Sequence, residues 1–397
     1  MGRIAEHDAD HARLAEIAGE VTEIVETEDL GERLPRLPLS KANIRERFIS
    51  YDNPASILPT EIVSEIFVHV LPAYPICPPL AGKSSPTQLT HVCRQWREIA
   101  LGTPSLWRAI PFCRAKPEWN LDPVTIWLRR SGSCPLSLHM DEPSATRVIE
   151  IIVSHRARWE YLSLYLESWC YDLLEMIGPM PLLREMKLDA SCDDWSVYQH
   201  STPLPTVFCE APHLRSMTFV EYTFPSIGFP WSQLTSLSLV RIDVGDCTKL
   251  LQQTVNLVHC KIYLGTGNVY TNLRLQLPRL ESLKMEYDRR YGSGLMEYLG
   301  TFIVPALLRL QVSQCELDPD HFSHALSAFI AKAGCKLQEL RITGPSNYPF
   351  HWVARYRRNF DNIRVFYNGI LLSMDEECET TWDETFYFIC DRNESPS

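Results

Sequence analysis

The sequence predicts a mixed α and β chain, a small all-α unit followed by an irregular α/β solenoid with parallel strands on its concave face. Three observations carry this. Residues 57–110 hold three short helical patterns with their own start and stop signals. From about residue 133 one short-strand phrase returns eight times in register. The length of 397 residues, 45% apolar and 22% charged, allows two or three domains and is near the globular average, which excludes a disordered or collagenous chain.

In the helical stretch, Leu58-Pro59 precedes a run in which Ile62, Ile66 and Val70 recur at steps of four, flanked by Val63, Phe67 and Leu71. Pro59 suits a first helical turn, Glu61 complements the positive helix start, and Pro72 stops the helix. The proline-rich stretch PAYPICPPLAGKSSP then reads as a loop. Ser85-Pro86-Thr87-Gln88 is a capping box with proline at the first helical position. It starts a helix whose apolar residues Leu89, Val92, Cys93, Trp96, Ile99 and Ala100 form one wide stripe, closed by Gly102. Thr103-Pro104 caps a third turn carrying Leu106 and Trp107.

The strand phrase has apolar residues at its first, fourth and sixth places, as in Leu234/Leu237/Leu239 and Leu307/Leu310/Val312. Its first places are Trp159, Leu183, Leu214, Leu234, Leu257, Leu280, Leu307 and Leu337, separated by 20 to 31 residues. PLSLHM at 135–140 reads as an opening strand. One such strand cannot bury its leucines alone, so stacked copies share a core, the logic of a leucine-rich-repeat solenoid. The uneven spacing predicts variable helices or loops on the convex side. The expected layout is an N-terminal helical arm over 1–50, the helical unit over 51–115, the solenoid over 116–350, and a cap with an acidic tail over 351–397. In the arm, Leu14, Ile17, Val21 and Ile24 mark an apolar stripe that fits either a short coiled coil or a helix folded back on the body.

The net charge of −11 sits at the ends: residues 1–35 carry ten acids against three bases, and 375–397 carry eight against Arg392 alone, leaving +3 for the body. Bulk electrostatics therefore gives no reason to expect nucleic acid or an anionic membrane. Thirteen cysteines without any C-x-x-C indicate neither a zinc ribbon nor a disulfide framework, and a reducing intracellular setting (cytoplasm or nucleus) is the expectation. Neither a signal-peptide pattern nor an apolar run of membrane-spanning length is legible.

The segment LPTEIVSEIFVHVL…LTHVCRQWREIALGTPSLW resembles an F-box, in the F-box-like form common in mushroom-type fungal proteins. The family's L-P-x-E-I-x-x-E-I-F stands here as Leu58 to Phe67, its V-C-R-x-W-R as Val92 to Arg97, and its P-x-L-W as Pro104 to Trp107. WLRRSGSCPLSL at 127–138 also looks like the family's junction into its repeats. F-box proteins are the substrate receptors of SCF-type ubiquitin ligases and dock on the adaptor that bridges to the cullin. The resemblance implies that Leu58, Pro59, Ile62, Ile66, Phe67, Val92, Cys93, Trp96 and Trp107 form or support the adaptor surface. The same residues also read as the core of a helical subdomain. The long insertion departs from the family and puts the contacts made there in question.

In each strand phrase the fifth place points away from the core: Ser163, Lys187, Thr218, Ser238, Lys261, Lys284, Gln311 and Arg341, with Arg309 at a third place. Four of those eight are basic, and Tyr161, Tyr165 and Tyr263 neighbour them. Tyr161, Lys187, Lys261, Lys284, Arg309 and Arg341 are thus the candidate residues for a protein client, favouring an acidic or phosphorylated segment; a merely solvated face is the other reading. The acidic segment 375–397, with Phe386 to Ile389, is a candidate competitor for that face.

His7 with His11, and His321 with His324, lack a third ligand and read as solvated helix faces rather than metal sites. GTG at 265–267 and GSG at 292–294 are turn glycines. HWVARYRRNFDNIRVFY at 351–367 interleaves arginines with aromatics but reads as a solenoid cap before a nucleic-acid binder. The expected function is substrate recognition in an SCF-type ligase, with no chemistry or cofactor of its own. The alternative is a leucine-rich-repeat scaffold acting independently of ubiquitin.

Overall fold

Pro59 stands at the N-cap of the first helix, α1 (Thr60–Val70), and Leu71 is extended just before Pro72. The structure, a computed structural model, describes residues 58–112, 122–140, 146–165, 178–189, 210–220, 230–265, 274–287, 294–314, 319–344, 356, 359–360, 362–368 and 370–371. The expected N-terminal arm, the His7/His11 pair, part of the arginine–aromatic segment and the acidic segment 375–397 lie outside them.

The second helical pattern is two helices rather than one, α2 (Pro86–Val92) and α3 (Arg94–Leu101), broken at Cys93 with φ −153° and ψ 173°. Ser85 caps α2 by accepting from the Thr87 amide at 3.3 Å. At the break the Cys93 sulfur accepts from the Trp96 amide at 3.4 Å, and Arg97 Nε donates to the Thr90 carbonyl at 2.7 Å. One open amide of α3 and one open carbonyl of α2 are thereby answered, which eases the kink there. Of the expected apolar stripe, Leu89, Trp96, Ile99 and Ala100 point inward, whereas Val92 is half-buried and Cys93, at the break, is exposed.

A 3-10 turn (Pro104–Trp107) follows, then β1 (Ala109–Phe112), α4 (Asp122–Arg130) and β2 (Leu136–Met140). Phe67 meets Trp96 edge-on at 4.9 Å, and Trp107 meets Trp127 of α4 at 5.5 Å and 80°. The Arg130 guanidinium lies 4.4 Å over the Trp107 ring. The helical unit thus gains its interior from α4, and the chain divides into two compact units at His139/Met140.

In the second unit, α5 (Thr146–Ser154) precedes β3 (Trp159–Tyr165), β4 (Glu185–Asp189), β5 (Ser216–Val220), β6 (Ser236–Ile242) and β7 (His259–Leu264). Then come β8 (Leu275–Gln276), β9 (Ser282–Tyr287), β10 (Phe302–Ile303), β11 (Arg309–Ser313), β12 (Glu339–Thr343), β13 (Arg364–Tyr367) and β14 (Ile370–Leu371). The strands lie side by side in the order β3-β4-β5-β6-β7-β9-β11-β12-β13-β14. Each neighbouring pair from β3 to β13 is parallel, and β14 returns antiparallel. β8 and β10 form a separate parallel pair.

The fourth places align across the sheet, Leu162 with Met186, Met217, Leu237, Cys260, Leu283, Leu310 and Leu340, and all are buried. Register is kept by a backbone ladder: the amides of Arg184, Arg215, Thr235, Val258, Glu281, Leu308 and Gln338 each donate to the corresponding carbonyl of the preceding copy at 2.8–2.9 Å. Spacing varies outside this ladder, so 20- and 31-residue copies still superpose their leucines. The helices α6 (Val244–Leu251), α7 (Leu295–Leu299) and α8 (Pro319–Ala333) occupy the intervening segments and contribute Leu250, Leu299, Phe322 and Leu326 to the core.

The sheet continues past residue 350, where a cap was expected. Leu340 pairs with Val365 and Ile342 with Tyr367, so β13 is a further copy of the phrase. The same register puts polar Asn362 at its first place, and that is why the apolar pattern stops at eight.

Candidate functional site

The first candidate surface lies on the helical unit. Leu58 is half-buried, while Pro59 and Ile62 are exposed at the start of α1, Ile62 at 38%. Val92 is half-buried and Cys93 exposed at the α2/α3 break. Ile66, Phe67, Trp96 and Trp107 are buried, so they hold the helices together beneath that surface rather than presenting themselves on it. The nine residues singled out from the sequence thus separate into an outer set and a supporting set. Leu101, 40% exposed at the end of α3, is an apolar surface residue outside the Leu58–Phe67, Val92–Arg97 and Pro104–Trp107 segments. An open groove of about 390 Å³ runs beside Thr60, Glu61, Ser64, Gln95, Glu98 and Thr103, between α1 and α3.

The insertion between α1 and α2 is tied down. Tyr74 packs under the Arg108 guanidinium at 3.7 Å, and the Pro75 carbonyl accepts from Ser137 Oγ at 2.7 Å. The Leu80 carbonyl accepts from Ser85 Oγ at 3.1 Å. These anchors hold the loop against β1 and β2, and leave the Pro59–Ile62 start of α1 uninvolved.

The second candidate surface is the sheet face opposite the buried fourth and sixth places. Lys187, Lys261, Lys284 and Arg341 stand in one row with Ser163, Thr218, Ser238 and Gln311, as strand alternation requires. Tyr161, His259, Ser282 and Arg309 belong to the adjacent third-place row, with Glu185 and Glu339. The expectation that all fifth places are open does not hold: Ser163, Thr218, Ser238 and Gln311 are buried. Strands lie only about 4.8 Å apart, so short side chains sink between long neighbours such as Lys187 and Lys261.

Several charges on this face pair with one another. Lys187 is 4.0 Å from Asp189 and shares β4 with Glu185. Glu339 binds Arg341 at 2.7 Å and Arg364 at 3.3 Å. At the centre, Glu286 is approached by Lys284 to 3.4 Å and by Gln311 Nε2 to 3.3 Å, with Lys261 and Arg309 on the neighbouring strands. Burial, together with Arg309, holds His259 below the usual imidazole range against the opposing pull of Glu281, so His259 is neutral near pH 7 and adds no charge. Thr218 Oγ1 and Ser282 Oγ, both on this face, are buried with no hydrogen-bond partner among the described residues. The strand period that located Lys261 and Lys284 also reaches Ser282 and His259, but nothing in the sequence says which hydroxyls lose their partners.

Among the described residues, no three His, Cys, Asp or Glu side chains converge as a metal group, and no helix is long and apolar enough to cross a membrane. His321 and His324 lie on α8.

Residues 55–112 match the family model described as F-box-like. No curated protein matches the chain. The chain therefore carries an F-box-like domain over its helical unit, followed by a sheet of parallel strands. F-box domains generally bind the adaptor subunits of SCF complexes, so the domain suggests an adaptor-binding or protein-interaction role.

Proposed function

We propose that this chain is the substrate-recognition subunit of an SCF-type ubiquitin ligase. Its F-box-like domain, of the mushroom-type fungal form, docks on the adaptor and through it on the cullin. The parallel sheet is an irregular leucine-rich-repeat solenoid whose open face holds a protein client. The chain supplies no chemistry of its own and works inside the cell by proximity, raising the client's effective concentration at the transfer site. The observation that supports this best is the separation within the helical unit. Phe67, Trp96 and Trp107 complete a core, yet Pro59 and Ile62 remain exposed at the start of α1 inside the matched segment. An exposed apolar side chain costs little alone, but at the first turn of a packed helix it suits a partner's pocket.

Co-purification with the SCF adaptor tests the reading. Wild type should be retained at micromolar concentration, and Ile62→Asp should weaken retention at least about tenfold, because a buried unpaired carboxylate is costly at an interface. If wild type is not retained, the ligase reading falls and a ubiquitin-independent scaffold takes its place.

A further inference from the structure

We infer that the groove between α1 and α3 is the docking site of this chain's own N-terminal segment 36–47, whose arginines and lysine settle among the groove's carboxylates. Docking there is independent of the ligase reading. It decides between the two arrangements open to the N-terminal arm, in favour of a fold back onto the body.

The groove holds about 390 Å³, and its two charged lining residues, Glu61 of α1 and Glu98 of α3, are both exposed carboxylates beside Ser64, Gln95 and Thr103. Glu65 follows Glu61 one turn along α1. Local cations do little to cancel this charge. Among the described residues Glu61 makes no ion pair, and Glu65 meets His69 at 3.3 Å. Glu98 meets Arg94 at 3.0 Å, with the Arg94 side chain 92% exposed. Exposed pairs four residues apart on a helix contribute little in water, so an incoming guanidinium competes for the same oxygens.

The occupant follows from sequence and reach. Residues 36–47 carry Arg36, Lys41, Arg45 and Arg47 against Glu46 alone, a net of +3, directly after the stretch 1–35 with its −7. The groove repels the acidic stretch and attracts the basic one. Ten residues, 48–57, separate Arg47 from Leu58. They extend to at most about 35 Å, whereas the 11-residue α1 is about 16 Å long, so the segment reaches every part of the groove. A tether of that length holds the segment at an effective concentration on the order of millimolar, which a second copy or a free basic peptide does not match. Arginine adds a planar fork of donors that takes one carboxylate at two points and leaves further N–H groups for neighbours such as Gln95.

The test uses the full chain. Limited trypsin digestion, read by mass spectrometry, compares cleavage after Lys41 and Arg47 with cleavage after Arg3 and Arg13, which serve as an internal reference in the acidic stretch. Neutralising the groove with Glu61→Gln and Glu98→Gln together should raise cleavage after Lys41 and Arg47 about fivefold against that reference. Salt at about 0.5 M should have the same effect on the wild type. Both glutamates are exposed, so the thermal midpoint should move by less than about 3 °C, which separates faster cleavage from a folding defect. Zero-length carbodiimide coupling should join the peptide bearing Lys41 to one bearing Glu61 or Glu98. Equal cleavage of the wild type and the double variant would overturn the inference, as would coupling of Lys41 only to carboxylates elsewhere. Protection that fades on dilution would mean that a second copy's segment fills the groove, and that too would overturn it.

Discussion

The indole N–H of Trp107 donates to the carbonyl oxygen of Ala100 at 2.9 Å, with both residues fully buried. Ala100 lies in the last turn of α3, where carbonyls lack helical partners, so the bond fastens the 3-10 turn to the helix end. Trp107→Phe should cost about 1–3 kcal/mol, through the lost indole hydrogen bond and reduced packing against Trp127, with the Ala100 carbonyl keeping the long bond from the Thr103 amide at 3.4 Å. Faster hydrogen exchange of α3 amides, with those of the repeat strands unchanged, is the expected signature.

Ile62 and Trp96 separate surface from support. Ile62→Asp should leave stability within about 0.5 kcal/mol, since its side chain is exposed. Trp96→Ala should cost about 3–5 kcal/mol through a core cavity and the lost edge contact with Phe67. Thermal melts of the two variants, beside their adaptor retention, should show lost binding with an intact fold for the first and loss of both for the second.

At Cys93 a thiol does the work of a helix cap. Oxygen accepts hydrogen bonds better than sulfur, so Cys93→Ser should stabilise the helical unit by about 0.5 kcal/mol, and Cys93→Ala should destabilise it by a similar amount. Urea midpoints for the three proteins give the comparison; a Ser variant no better than Ala would mean the sulfur contact does not cap.

Two kinds of buried hydroxyl should respond in opposite directions. Thr248 Oγ1 donates to the Val244 carbonyl at 2.8 Å and lies 3.1 Å from Tyr298 Oη, so Thr248→Val should cost about 1–2 kcal/mol. Thr218→Val removes a hydroxyl with no partner among the described residues and should be neutral or stabilising by up to about 1 kcal/mol. Denaturant titration distinguishes them.

Beneath α6, burial pushes the Cys247 thiol up to about 12 from 9.0, and it raises Cys260 and Tyr298 as well. Raised folded-state values mean that the folded chain keeps protons which the unfolded chain releases. The stability contribution is therefore complete below about pH 9 and is lost as pH climbs toward 12. Urea midpoints should fall between about pH 8 and about pH 10.5, and Cys247→Ala should shrink that fall. At neutral pH a thiol reagent should modify Cys93 quickly and reach Cys247 and Cys260 only on unfolding, as mass spectrometry of labelled peptides would read.

Local chemistry made much of the fold legible. Ser85 before Pro86 and Pro59 before Thr60 set helix starts wherever the rest of the chain lies. The period of two in Leu237/Leu239 and Leu310/Val312 assigns faces, because a strand cannot bury neighbours on the same side. The kink at Cys93 escaped notice since a one-residue break leaves Leu89, Trp96, Ile99 and Ala100 pointing inward. The strand at Arg364–Tyr367 escaped because Asn362 interrupts the pattern, and only pairing with β12 recruits it.

By itself the sequence determined that the fourth and sixth places of the strand phrase enter the core, where α1 and α2 start, and that Lys187, Lys261, Lys284 and Arg341 share one face. Tertiary structure alone decided that Ile62 stays outside while Phe67 and Trp96 meet. It also decided that Glu339 engages two arginines while Glu286 engages Lys284, and that Ser282 is covered with no partner among the described residues. The reason is physical: period and capping act over a few neighbouring residues, whereas burial, and pairings such as Glu339 with Arg364, depend on copies 20 to 31 positions apart brought within one strand spacing by the parallel ladder.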